Sequence, residues 1–153
     1  MFKSVKATLL ASGLALAATV PAQAQGFEGA YAGVYGGTAL TGTTWMAGVQ
    51  GGYNFALGDQ AIAGVEGDVF VTHAGVVFAS ALGRLGFALS SNMLIYGALG
   101  LGAYGAATYY QASGGAEFNV TDNVFLRASV DRFKTFGGGP AEYMGKVGAG
   151  YRF

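Results

Sequence analysis

The 153-residue sequence predicts an all-β fold, one eight-stranded antiparallel transmembrane β-barrel behind a cleavable signal peptide. Three observations carry this. Polar and apolar residues alternate with a period of two along most of the chain, as they do in strands with one apolar face. Segments of about ten residues recur between clusters of turn-forming residues, the length a tilted strand needs to cross a bilayer. The composition is 52% hydrophobic and 10% charged, against about 25% charged in soluble domains. Such a chain has to place its apolar surface against something other than water.

The elements follow in order. MFKSVK supplies two lysines, an apolar run from Ala7 to Val20 follows, and Ala22 and Ala24 give the small-x-small pattern of a signal peptidase site. The spacing predicts a signal peptide over 1–24 and a single barrel domain over 25–153. The strands are expected near 28–36, 44–56, 60–71, 76–88, 93–104, 107–119, 123–134 and 142–153. The turns between them include LGDQ at 57–60, LSSN at 89–92 and VTDN at 120–123. In the second strand, Trp45, Ala47, Val49, Tyr53 and Phe55 share a face opposite Gln50 and Asn54. In the third, Val65, Val69 and Val71 oppose Glu66, Asp68 and Thr72. The fourth sets Val77, Leu85 and Phe87 against Ser80 and Arg84, and the sixth sets Tyr110, Ala112 and Phe118 against Gln111, Ser113 and Glu117. The seventh sets Val124, Leu126 and Val130 against Arg127, Ser129 and Asp131. In the eighth, GKVGAGYRF, Val147, Ala149, Tyr151 and Phe153 alternate with Lys146, Gly148, Gly150 and Arg152. The fifth strand has two possible phases: either Ile95, Leu99 and Leu101 face lipid with Tyr96 inside, or the reverse.

Several classes are excluded on composition. Eight bases balance eight acids, so no nucleic-acid partner is expected. With no cysteine and one histidine, His73, neither a disulfide nor a metal site is expected, and no cofactor. The longest charge-free apolar run, residues 93–107, holds four glycines and falls short of the roughly 20 residues of a spanning helix. A G-x-G-x-x-G match at Gly100–Gly105 runs into another strand rather than a helix, so it is not read as a dinucleotide site. His73 lies in THAG with Thr72 as its only adjacent hydroxyl, so no catalytic triad is expected and the chain is read as non-enzymatic.

A soluble barrel and a membrane barrel differ in which face is apolar. Aromatic residues fall near many strand ends on the apolar face, namely Trp45, Phe55, Phe87, Phe118, Tyr151 and Phe153. Girdles of that kind mark a lipid-facing barrel. Closure also gives every backbone group a partner in lipid and leaves no free edge.

The series GGYNF (51–55), AGVEGDVF (63–70), GRLGF (83–87), LIYGALG (94–100), GGAEF (114–118), DNVFLRASV (122–130) and GYRF (150–153) resembles the small bacterial outer-membrane β-barrel family. That family includes the OmpA-type membrane domain and the short surface proteins of alphaproteobacteria. The resemblance implies a bacterial outer-membrane location with outer-membrane lipid as surroundings. It implies that Tyr151 and Phe153 form the C-terminal signal read by the barrel-assembly machinery. It also implies an ion-pair set inside the lumen, at Glu66, Arg84, Glu117 and Arg127, proposed in the family as a gate. Asp68, Asp131 and Lys146 are further candidate lumen charges. A monomer is assumed. With the N-terminus in the periplasm, the outward loops are 37–43, 72–75, 102–107 and 135–142, all short. The leading expectation is a structural protein of the envelope with a charge-plugged lumen. The alternatives are a narrow gated channel for ions or small solutes, and a surface recognition protein, either an adhesin or a ligand binder.

Overall fold

The computed structural model describes residues 24–153. The predicted signal peptide lies outside the described residues except for Ala24. A 3-10 turn, Ala24–Phe27, leads into eight strands: β1 (Gly29–Ala39), β2 (Trp45–Ala56), β3 (Ala61–Thr72), β4 (Val77–Ala88), β5 (Met93–Tyr104), β6 (Ala107–Asn119), β7 (Val124–Thr135) and β8 (Glu142–Arg152). Each strand pairs antiparallel with its neighbours, and β1 closes on β8 with Tyr31 opposite Arg152 and Ala39 opposite Met144. No edge is left unpaired, so the ladder satisfies its own backbone groups, as a wall in lipid requires.

The expected strands agree with the structure to within a residue, save that β1 runs on to Ala39 and the loop expected at 102–107 shrinks to 105–106. GTALTGT reads as a loop, yet Gly37 and Thr38 continue the strand, pairing with Met46 and Trp45 on one side and Lys146 and Gly145 on the other. The glycine there makes room rather than a turn. A Cβ at Gly37 would lie 3.0 Å from Lys146 Cγ and 3.1 Å from Met46 Cε.

The two faces of the wall are sorted as a membrane barrel requires. Val34, Val49, Val65, Leu85, Leu99, Leu101 and Val147 all point outward and are more than half exposed. The strand-five ambiguity resolves with Ile95, Leu99 and Leu101 outside and Tyr96 buried inside. Of the six aromatics expected in girdles, Phe55, Phe87, Phe118, Tyr151 and Phe153 gather at the end where the chain enters, and Trp45 stands alone at the other. Tyr110, Phe136 and Tyr143 complete that second end.

The core lies inside the barrel in layers. Toward the chain-entry end, Phe27, Ile62, Ala88 and Leu94 form an apolar cap. Phe27 is held across the mouth by its turn: Asn54 Nδ2 donates to Phe27 O at 2.8 Å, and Asn119 Nδ2 and Arg152 Nη1 each donate to Gly26 O at 3.0 Å. Toward the opposite end, Tyr35, Met46, Phe70, Tyr109, Phe133 and Met144 form a second apolar cap, with Phe78 and Tyr104 packed on it. Between the caps lies the polar zone.

Inward glycines make room for inward rings. A Cβ at Gly115 would fall 2.8 Å from Ser129 Cβ and 2.9 Å from Tyr96 Oη, whereas one at the adjacent, outward Gly114 would meet nothing within 4 Å. Gly115→Val is therefore expected to destabilise the barrel by about 1–3 kcal/mol. Gly114→Ala should stay within about 0.5 kcal/mol. Urea titration of the heat-modifiable gel band compares the two, and equal midpoints would contradict the packing described.

Candidate functional site: the charged lumen

The polar zone is built by inward positions of alternate residues on β3, β4, β6, β7 and β8. Four inward acids, Glu66, Asp68, Glu117 and Asp131, meet four inward bases, Arg84, Arg127, Lys146 and Arg152. The formal charge of the lumen is therefore zero. An eight-stranded barrel has an interior just wide enough for side chains, so any charge there has to be matched by another side chain.

The charges form two storeys. In the storey nearer the chain entry, Glu66 and Glu117 are bridged twice. Arg84 reaches Glu66 at 3.1 Å and Glu117 at 2.6 Å, and Arg127 reaches each at 2.6 Å. Glu117 and Arg127 are direct cross-strand partners of β6 and β7. The second oxygen of Glu117 accepts from Arg152 at 3.0 Å. Tyr31 donates its hydroxyl to Glu66 at 2.5 Å and accepts from Arg84 at 2.9 Å. The guanidinium of Arg84 lies 4.2 Å over the Tyr96 ring and that of Arg127 lies 5.2 Å from it. The rings thus cover guanidinium faces that the carboxylates leave free.

In the other storey Lys146 pairs with Asp131 and lies 3.5 Å from Asp68. Tyr35 donates to Asp68 at 3.1 Å, Ser80 donates to the other oxygen of Asp68, and Gln111 Nε2 donates to Asp131 at 3.2 Å. The ammonium of Lys146 sits 4.5 Å over the Tyr35 ring. Between the storeys, the space bounded by Tyr35, Gln50, Arg127, Ser129 and Lys146 has a volume of about 10 Å³. That is about the room one water needs.

All seven lumen residues named from the sequence point inward, and the structure brings Glu66, Arg84, Glu117 and Arg127 into one cluster. Arg152, which the alternation of β8 sets on the same face as Lys146, facing the lumen or the rim, joins that set, and its partner Glu117 lies two strands away on β6. Tyr31, Tyr35 and Tyr96 were missed as hydrogen-bonding and stacking partners, because a tyrosine in an apolar run reads as packing. Tyr151 and Phe153 point out at the chain-entry end with ring centroids 5.3 Å apart, 48% and 77% exposed. His73 stacks on Trp45 at 5.8 Å and its backbone N–H donates to Trp45 O at 2.9 Å, which braces a loop against a strand. Among the described residues no three His, Cys, Asp or Glu side chains form a metal-holding group.

No family model matches the chain, and no curated protein matches it. Solved structures do. The N-terminal β-barrel domain of Pseudomonas aeruginosa OprF is 18% identical over 81% of this chain and 96% of that one, with a TM-score of 0.62. The crystal structure of Ail, the attachment invasion locus protein of Yersinia pestis, is 20% identical over 82% of this chain and 99% of that one, with a TM-score of 0.56. A de novo designed transmembrane β-barrel matches at 18% identity over 81% of this chain and 94% of that one, with a TM-score of 0.62. The shared feature is the fold, that of the small eight-stranded membrane barrels.

Proposed function

We propose that this chain is a non-enzymatic outer-membrane barrel with a structural role in the cell envelope. The observation that carries this reading is the filled lumen: eight mutually paired charges between two apolar caps, with room for about one water between the storeys. A neutral, sealed interior offers neither a path nor a selectivity charge. The apolar outer wall and the fold of its structural neighbours support the outer-membrane location. The exposed aromatic pair Tyr151 and Phe153 fits a C-terminal assembly signal. The loops at the end opposite the chain entry, 40–44, 73–76, 105–106 and 136–141, have five, four, two and six residues and offer little area for an adhesin.

A gated channel is the second reading, favoured by one observation. Arg84 and Arg127 each touch both Glu66 and Glu117, so each base keeps a partner if one contact opens. Planar-bilayer recording separates the readings. The structural reading expects no openings from folded protein, and detergent sensitivity in cells lacking the gene. Steady openings that change in Arg127→Ala would make the lumen a gate and overturn the sealed-plug reading.

A further inference from the structure

The storey nearer the second cap differs from the other in the kind of base it holds. Among the described residues, Lys146 is the one base that pairs with Asp68 or Asp131, and it pairs with both: it touches Asp131 and stands 3.5 Å from Asp68. All three side chains are buried. Tyr35, Met46, Phe70, Tyr109, Phe133 and Met144 seal that side of the lumen, and the Tyr35 ring covers the ammonium. An amine that has lost its proton is a nucleophile. The bases of the other storey are guanidinium groups, which stay charged and offer no such chemistry.

The two carboxylates are held differently. Asp68 accepts from Tyr35 Oη at 3.1 Å through one oxygen and from Ser80 Oγ through the other. Asp131 receives both Lys146 and Gln111 Nε2, at 3.2 Å, on Oδ2, while its buried Oδ1 accepts no hydrogen bond. An orphaned oxygen costs more on a buried carboxylate than on a neutral carbonyl. Lys146 lies opposite Ser129 and Asp131 opposite Met144, so the pair are diagonal neighbours across β7 and β8, a separation that long side chains span. Beside Lys146 is the space of about 10 Å³, with Gln50 among its walls, whose Nε2 has no hydrogen-bond partner.

We propose that Lys146 and Asp131 condense into an isopeptide bond that joins β7 to β8 inside the lumen, with Asp68 as proton carrier. One ammonium proton passes to Asp131 Oδ2, leaving an amine and a carboxylic acid. Nζ attacks Cγ and the N–C bond forms. Asp68 takes a second proton from the nitrogen and delivers it to Oδ2. The Cγ–Oδ2 bond then breaks, and Oδ2 leaves as water into the space beside Lys146. The amide keeps the last nitrogen proton, so no proton is gained or lost overall and no other reactant is needed. Two causes favour the amide over the ion pair. Condensation removes two buried charges and the desolvation each carries. The sealed lumen also holds nucleophile and target together at a high effective concentration, with no bulk water to reverse the step.

The test is tryptic mapping by mass spectrometry of protein purified folded from membranes. Acylated Lys146 is no longer a cleavage site. Trypsin should therefore release residues 128–132 joined to residues 135–152 as one branched peptide, lighter by one water than the two chains together. Lys146→Arg keeps a cation but has no amine, and Asp68→Asn keeps the shape but carries no proton; both should lose the branched peptide. The unboiled gel band checks that each variant is folded. Free peptide 135–146 as the main product of the folded parent would overturn the proposal. Branched peptide from Asp68→Asn at the parent's yield would overturn the role given to Asp68. If neither variant folds, the parent still decides, since its fragment masses either place a link between Asp131 and Lys146 or show both side chains free.

Discussion

Glu117→Ala is expected to cost about 3–5 kcal/mol of folding free energy. Glu117 accepts from Arg84, Arg127 and Arg152 and is buried to 1% exposure. Its removal leaves three guanidinium groups in one storey with Glu66 as their only carboxylate. The loss comes from the stranded charges more than from the pairs as such, because burying an ion pair roughly cancels its own Coulomb gain. Two results follow from this cause. Glu117→Gln, which keeps the shape and one acceptor, should fall between parent and alanine. The double variant Glu117→Ala/Arg127→Ala should cost clearly less than the two single changes summed, since the second change removes a charge the first had stranded. Urea titrations of the folded gel band in lipid vesicles give all four values. Simple additivity would mean that the carboxylate and the guanidinium act independently and that the cluster is misread.

Leu99→Arg is expected to destabilise the barrel in vesicles by about 2–4 kcal/mol, and Ala103→Arg, four residues nearer the rim, by about 0–1 kcal/mol. Leu99 sits in the middle of β5, faces outward and is 70% exposed. On a barrel in water, an arginine at so exposed a site would cost almost nothing. The depth dependence therefore reports the hydrocarbon around the wall. It also checks the phase of the fifth strand, because the inward neighbour Ala98 pairs with Arg84 and an arginine there would meet a cation instead. A flat response at Leu99 and Ala103 would show that β5 does not face lipid.

Much of this architecture is legible along the chain. Parity places Glu66, Arg84, Glu117 and Arg127 on the polar face, since successive side chains of a strand point to opposite faces whatever the neighbouring strand is, while their meeting in the lumen is implied by the family resemblance. The same parity continues through DRFKT and places Arg132 and Lys134 outside. The caps were hidden for a different reason. Near the end away from the chain entry both faces are apolar: Phe70 lies between Val69 and Val71, and Phe78 between Val77 and Ala79. Alternation has no contrast there. Phe27 was hidden because it belongs to no strand and is held over the lumen by tertiary contacts, a hydrogen bond from Asn54 to its own carbonyl and bonds from Asn119 and Arg152 to that of Gly26.

By itself the sequence determined the number of strands, their alternating faces and the inward charges, because the pleat that sets these is local and repeats every two residues. Only the tertiary structure decided which charges meet. Arg152 reaches Glu117 from 35 positions away and Arg127 reaches Glu66 from 61. Those distances close only when eight strands join with one stagger, since stagger and tilt set which inward residues share a height. The two storeys and the caps above and below them all follow from that closure.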